Sequence, residues 1–371
     1  MARLVAIDLP GGSAFVDALQ RAWDDGDAVL PLDRRLPAAA RAAVLEAMAP
    51  SIVVDEHGAH ALAGRPVEAG DALVVATSGS TGTPKGVVLT HDAVRASADA
   101  TSRRLGTDHR DIWLACLPLS HVGGLSVVTR ALHTGAGLRV HDGFDAAAVE
   151  DAARAGVTAV SLVATALARV DPSLFRVIVL GGSRPPTVVP PNAHTTYGLT
   201  ETGSGVVYDG RPLDGVDVRI DESGHIALRG PMLLRCYRDG TDPRTDDGWL
   251  PTGDAGRWLP DGRLHVDGRV GDLIITGGEN VWPDPVEAVL ATHPHVREVA
   301  VAGVADPEWG QRVTAWVVPE GDPPSLADLR ALVAEVLPTF CAPKVVHVVS
   351  HLPRTALGKV QRHHLSEPPA H

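Results

Sequence analysis

Between residues 72 and 180, short apolar runs alternate with stretches whose apolar residues recur at helical spacing. The runs at 72–76, 87–89, 112–117, 137–140, 157–163 and 176–180 read as buried strands, and 91–105, 124–132 and 146–155 as helices. Thr90 stands where a side-chain cap for the first of these helices belongs. Such alternation predicts a mostly parallel sheet covered by helices on both faces. Upstream, 13–23 and 37–48 read as helices and 51–54 as a short strand. From about residue 216 the texture changes to short strands, 216–220, 226–229 and 264–266, broken by Asp-Gly and Ser-Gly turns. Beyond residue 271, a helix at 285–292, strands at 296–304 and 313–318, a helix at 326–337 and a strand at 345–349 form a further unit. The expected fold is therefore α/β. A large N-terminal domain, 1–270, holds layered, mostly parallel sheets with helices and a small β subdomain, and a smaller α+β C-terminal domain spans 271–371.

A chain of 371 residues is long enough for two such domains. The 33 basic and 45 acidic residues leave a net charge of −12, which repels a nucleic-acid backbone or an anionic membrane surface. Cys116, Cys236 and Cys341 stand apart without CxxC spacing, so neither a disulfide framework nor a zinc site is implied, and a reducing cytoplasm is expected. No apolar run approaches the length that spans a bilayer, and the N-terminus lacks a basic start followed by an apolar core, so no membrane insertion is expected. A homo-oligomer is compatible with this composition. Lysine occurs only at 85, 344 and 359, against thirty arginines, which draws attention to places where a compact point charge is used.

One lysine closes Thr77-Ser78-Gly79-Ser80-Thr81-Gly82-Thr83-Pro84-Lys85-Gly86, a loop between two strand-like runs. Its hydroxyls, three glycines and one ammonium suit the oxygens of a polyphosphate. A flexible linker would not end in Pro-Lys-Gly, and a Walker A loop needs Gly before the Lys and Ser or Thr after it. Next, Leu117-Pro118-Leu119-Ser120-His121-Val122-Gly123-Gly124 ends one strand and leads into a helix, its glycine pair letting a ligand approach the helix start. Arg130 lies further along that apolar helix. It faces either solvent or a pocket, and in a pocket it needs an anionic partner. Gly181-Gly182-Ser183 follows the strand at 176–180 and Tyr197-Gly198-Leu199-Thr200-Glu201-Thr202-Gly203-Ser204 comes soon after, both at strand ends where open α/β sheets bind ligands. Thr252-Gly253-Asp254 is followed, fifteen residues after the Asp, by Arg269, and Leu352-Pro353-Arg354-Thr355-Ala356-Leu357-Gly358-Lys359 lies near the C-terminus.

In this order, over residues 73 to 363, these motifs resemble the adenylate-forming superfamily of acyl-CoA synthetases, luciferases and peptide-synthetase adenylation domains. The resemblance implies that Thr77, Ser78, Gly79, Ser80, Thr81, Gly82 and Lys85 hold ATP phosphates, and that Gly181, Gly182, Ser183, Tyr197 and Gly198 hold adenine. Thr200 would contact the α-phosphate, Glu201 would hold Mg²⁺, and Asp254, supported by Arg269, would bind ribose. His121 would lie beside the carboxylate being activated, with Gly124, Arg130, Gly203 and Ser204 in the acyl pocket. Lys359 would be the catalytic lysine. The C-terminal domain would be mobile, swinging about Gly271 where the family usually has Asp or Lys, and would bring Gly277 and Gly278 to the pantetheine of coenzyme A. The implied reaction joins a small-molecule carboxylic acid to CoA through an acyl adenylate. Within the superfamily, residues 121–130 and 201–215 and the shortened N-terminus look most like the actinobacterial o-succinylbenzoate:CoA ligases of menaquinone biosynthesis. There the position of Arg130 pairs with the carboxylate on the benzoyl ring. A general aryl- or acyl-CoA synthetase, a stand-alone adenylation enzyme loading a carrier protein, and a non-catalytic nucleotide-binding protein are the alternatives.

Overall fold

The computed structural model describes residues 1–78, 84–182, 186, 188–354 and 360–365. It divides into two compact units, one formed by Met1–Val218 with Ala227–Pro251 and the other by Arg219–Ile226 with Thr252–His371.

The first unit holds two seven-stranded sheets. One runs from edge to edge as Cys236–Tyr237, Pro84–Thr90, Asp71–Ser78, Ala28–Pro31, Leu4–Ile7, Ile52–Asp55 and Gly58–Ala61. Its centre is parallel and its edges antiparallel. Leu4–Ile7 and Ala28–Pro31 are wholly buried central strands that are not among those expected from the sequence. The other sheet runs Arg211–Pro212, Gly205–Tyr208, Ala193–Gly198, Val177–Leu180, Ala159–Leu162, Ile112–Ala115 and Gly137–Val140, again parallel at the centre. The second sheet, with four parallel and two antiparallel pairings, is the mostly parallel sheet expected from the alternation, whereas the first has three of each.

Helices His91–Leu105 and Val122–Thr134 pack on one another. Thr90 caps the first, its hydroxyl accepting from the Ala93 amide at 3.1 Å, a contact of about 1 kcal/mol. Gly106 closes the same helix in the left-handed region at φ 60°. The second is buried at Gly124, Leu125 and from Val127 to Ala131.

A four-stranded sheet, Asp217–Ile220, His225–Arg229, Leu250–Trp258 and Leu264–Arg269, is where the chain passes from one unit to the other. The second unit continues with the hairpin Ile274–Thr276 and Glu279–Val281 and the long antiparallel pair Val296–Asp306 and Gly310–Pro319. Val345–Val348 is added in parallel. Helices Pro283–Leu290 and Leu326–Val336 contribute Val286, Leu290, Leu329 and Val333 to a core with Val301, Val313, Ala315 and Val317, all fully buried. Division by contacts thus falls after Pro251 and not after residue 270. The hairpin that ends at Arg269 lies against this unit, with the Trp282 ring about 3.1 Å from where a Cβ on Gly268 would stand. No helix among the described residues is long and apolar enough to cross a membrane.

Candidate active site

In the first unit, the polyphosphate-binding candidate lies between two antiparallel strands in register, Thr77 opposite Lys85 and Ser78 opposite Pro84. Gly79, Ser80, Thr81 and Gly82 lie outside the described residues. The Thr77 hydroxyl donates to the Lys85 carbonyl at 3.3 Å. On the other side of Lys85's strand, Cys236–Tyr237 pairs as an edge with Tyr237 opposite Val87. This brings the Tyr237 ring beneath the Lys85 ammonium, with Nζ 5.3 Å from the ring centroid. The Tyr237 hydroxyl donates to Glu201 Oε1 at 2.9 Å. Burial and the neighbouring Glu201 carboxylate push the phenol upward, so it remains a donor. Lys85 and Glu201, distant in sequence, are therefore gathered round a tyrosine that no motif marks.

Gly181 and Gly182 leave the C-terminal end of strand Val177–Leu180, with Gly182 at φ +83°, and Ser183 lies outside the described residues. Tyr197 and Gly198 end the neighbouring strand Ala193–Gly198, and a Cβ at Gly198 would strike the Ser204 carbonyl. Glycine is required there by close backbone approach. Thr200, Glu201 and Thr202 follow as a 3₁₀ turn in which the Thr202 hydroxyl accepts from the Leu199 amide at 2.9 Å. Tyr197, Thr200 and Glu201 thus lie on one rigid stretch at parallel-strand ends, the position the sequence predicts. Among the described residues no three His, Cys, Asp or Glu side chains are grouped to hold a metal. A Mg²⁺·ATP site does not need such a group, because Mg²⁺ is held through one or two carboxylates, substrate phosphates and water. Glu201, with Oε1 taken by Tyr237, fits as a single ligand.

A pocket opens between helices His91–Leu105 and Val122–Thr134, lined by Val94, Ser97, Leu125, Ser126, Thr129, Arg130 and Gly203 among others. Arg130 faces inward, at 2% exposure, with its guanidinium 4.7 Å above the Trp113 ring. Its Nε and Nη1 atoms find no hydrogen-bond partner among the described residues. Burial pushes its pKa down. Ser204 is buried and its hydroxyl is 2.6 Å from that of Ser97, so it fastens the glycine turn to the helix. At Gly124 a side chain would collide with the Leu117 and Pro118 carbonyls. The chain's own turn, and not only access for a ligand, demands glycine there.

His121 is the residue immediately before helix Val122–Thr134, and its Nε2 lies 3.3 Å from Asp33 Oδ2. Asp33 is held in turn by Arg35, whose Nε and Nη2 donate at 2.8 and 2.7 Å and whose amide donates at 3.0 Å. Burial by itself would raise Asp33, but the Arg35 contacts outweigh it and hold the carboxyl at about 2. An ionised carboxylate only accepts, so His121 donates from Nε2 and carries its lone pair on Nδ1. Burial pushes His121 below its ordinary value, against the opposing pull of Asp33, which keeps the ring neutral near pH 7. Nothing between residues 1 and 70 announces Asp33 in the sequence.

In the second unit, Asp254 and Arg269 are directly opposite in antiparallel register, with Arg269 Nε 2.9 Å from Asp254 Oδ1. Arg269 Nη1 also donates to the Thr252 carbonyl at 2.9 Å, so the arginine is fixed on both sides of the buried carboxylate. Gly277 and Gly278, at φ +60° and +85°, make a two-residue hairpin turn between Thr276 and Glu279. Gly271 sits in the 3₁₀ turn Val270–Asp272 with nothing within 4 Å of where a Cβ would stand, so this pose does not itself require glycine. Lys359 lies outside the described residues. Three residues on, Arg362 bonds Asp272 Oδ2 at 2.9 Å, Asp284 Oδ1 at 2.7 Å and Glu287 Oε2 at 2.8 Å.

Residues 63–238 match the AMP-binding enzyme family and residues 285–359 the AMP-binding enzyme C-terminal domain. The chain is 42% identical over 327 residues to a probable 2-succinylbenzoate--CoA ligase of Mycobacterium tuberculosis, covering 81% of this chain and 85% of that protein. Among solved structures it is similar to o-succinylbenzoate CoA synthetase of Bacillus subtilis in complex with the acyl-adenylate intermediate OSB-AMP. That likeness has a TM-score of 0.88 at 29% identity, over 99% of this chain and 88% of the other. The same Bacillus subtilis enzyme in complex with ATP and magnesium ion gives a TM-score of 0.86 at 29% identity, over 98% of this chain and 89% of the other.

Proposed function

The chain belongs to the AMP-binding enzyme family, and from that membership we propose that it is an AMP-forming acid:CoA ligase whose acid is o-succinylbenzoate. The observation that carries the choice of acid is Arg130, a fully buried guanidinium in an apolar pocket with two nitrogens unbonded among the described residues. Leaving buried donors unmade costs on the order of 1–3 kcal/mol for each group. A carboxylate accepts from guanidinium in a charge-assisted, bidentate manner, so a substrate bearing a second carboxylate supplies what Arg130 lacks.

In the first half-reaction, an oxygen of the succinyl carboxylate attacks the α-phosphorus of ATP and pyrophosphate leaves, giving the acyl adenylate. Lys85 and the loop before it hold the phosphates, Thr200 contacts the α-phosphate, Glu201 holds Mg²⁺, and Asp254 takes the ribose hydroxyls. Mg²⁺ supplies charge neutralisation on the phosphates. His121, neutral and oriented by Asp33, stands beside the carboxylate. Lys359 stabilises the charge that develops as pyrophosphate departs. In the second half-reaction the CoA thiol attacks the acyl carbonyl and AMP leaves. Residues 271–371 swing about Gly271 between the two, bringing the Gly277-Gly278 turn to pantetheine. The enzyme works in the cytoplasm on small molecules, in menaquinone biosynthesis.

AMP release should be measured with o-succinylbenzoate, benzoate, 4-phenylbutyrate and a fatty acid, each with and without CoA. A CoA-dependent signal confined to o-succinylbenzoate is expected, whereas turnover of a monocarboxylate would discard the substrate and AMP release indifferent to CoA would point to a carrier-loading enzyme. Lys359→Ala should slow adenylate formation about 100- to 1000-fold while transfer from preformed adenylate persists. Equal loss in both halves would remove Lys359 from that role.

A further inference from the structure

We propose that Tyr237 is a positioning residue that holds Glu201 ready for Mg²⁺ and keeps it apart from Lys85. The proposal rests on the reading of Glu201 as the magnesium-binding carboxylate. It starts from a problem of charge. An ammonium and a carboxylate brought to one phosphate site can satisfy one another, and each is then lost to the nucleotide. Among the described residues no ion pair joins Lys85 to Glu201. Both instead meet Tyr237, the ammonium over the ring face at 5.3 Å and the carboxylate at the ring edge through a 2.9 Å hydrogen bond. A single aromatic ring thus contacts the cation and the anion through different atoms.

The ring is well placed to act as a spacer because its backbone is fixed on both sides. Tyr237 pairs with Val87 across the strand, its amide donates to the Thr241 carbonyl at 2.8 Å, and the Arg238 amide donates to the Gly86 carbonyl at 2.7 Å. Glu201 is fixed likewise, its carbonyl accepting from the Leu234 amide at 2.7 Å inside the 3₁₀ turn. What remains free on Glu201 is the side chain, and the phenol removes that freedom by claiming Oε1. The carboxylate retains acceptor capacity on Oε2 for a metal. Partners of this kind behind a ligating carboxylate typically govern metal affinity by about 10- to 100-fold.

The test is calorimetric, on the whole enzyme with ATP and no acid, comparing ATP affinity in Mg²⁺ with that in EDTA. Tyr237→Phe keeps the ring under Lys85 and removes only the hydroxyl. It should leave metal-free ATP affinity unchanged and reduce the tightening by Mg²⁺ about tenfold, with a parallel loss in Mn²⁺ binding followed by electron paramagnetic resonance. Tyr237→Leu should show the same loss and weaken metal-free ATP binding as well, since Lys85 loses its ring. If that variant does not fold, the Phe variant carries the test alone. Glu201→Gln separates the two layers of the argument. Should it keep the full Mg²⁺ effect, the reading of Glu201 fails. Should it lose the effect while Tyr237→Phe keeps it, the role of Tyr237 fails. A Phe variant weakened equally with and without Mg²⁺ would also overturn the proposal.

Discussion

Two arginines, one in each compact unit, are withdrawn from solvent and could hardly be treated more differently. Arg362, 17% exposed, meets the carboxylates of Asp272, Asp284 and Glu287, and Glu287 also accepts from the Val301 amide at 2.7 Å. Arg130, 2% exposed, meets an aromatic face and has Nε and Nη1 unbonded among the described residues. A guanidinium that the fold surrounds with acids ties segments together. One that the fold buries beside a pocket without an acid is costly until something anionic enters. Burial alone does not separate these two residues; among the described residues Arg362 meets carboxylates, whereas Arg130 Nε and Nη1 meet no hydrogen-bond partner.

The sharpest way to break this contrast is Arg130→Leu. Catalytic efficiency with o-succinylbenzoate should fall about 100- to 1000-fold, as for loss of one side of a buried charged hydrogen-bonded pair, while the ligand-free protein gains about 1–3 kcal/mol because a buried unpaired charge has gone. Steady-state kinetics and urea unfolding of one sample read both. A variant that loses stability would mean that Arg130 has a structural partner after all.

Arg362→Leu should do the reverse, lowering stability by on the order of 3 kcal/mol by leaving carboxylates without their cation. Burial already raises Glu287 above its ordinary value, the effect opposed by Arg362, so removing the arginine raises it further. A group raised on folding favours stability at low pH. The deficit should therefore be largest at neutral pH and shrink as the carboxylates protonate on acidification. Denaturation midpoints measured from about pH 7 to about pH 4 check this, and a deficit that grows on acidification would contradict it.

A smaller effect distinguishes the His121 side of the pocket. Asp33→Asn removes the charge that raises His121 and leaves burial and Arg35, which both lower it. The acid limb of the pH–rate profile for adenylation should shift to lower pH, and a limb that stays in place would uncouple the two residues. Asp33 itself, depressed to about 2, contributes stability that is present above about pH 3.9 and disappears as the pH falls toward 2. Wild type and Asp33→Asn should therefore converge across that window.

The elements legible from the chain lie mostly within its alternation of apolar runs and helical spacing. Helix His91–Leu105 with its Thr90 cap, helix Val122–Thr134 and strands Ile112–Ala115, Gly137–Val140, Ala159–Leu162 and Val177–Leu180 stand where the pattern places them, whereas Ala193–Gly198, Gly205–Tyr208 and Arg211–Pro212 of the same sheet are not among the expected strands. The central strands Leu4–Ile7 and Ala28–Pro31 lie before that alternation and are not among the expected strands.

At the site, the chain order alone determined the adenylate-forming motifs, since phosphate loops, glycine turns and the Tyr-Gly-x-Thr-Glu stretch do their chemistry within a few consecutive residues. It left the side of the helix that Arg130 faces undecided, and it was silent on Tyr237 and Asp33. Those were settled by contacts between residues far apart in sequence, Tyr237 with Glu201 at a separation of 36 and His121 with Asp33 at 88. A single chain read without its fold carries no distance between such residues. Whether a charge is buried, and what it meets there, depends on how sheets and helices close over it, and only the tertiary structure decided that.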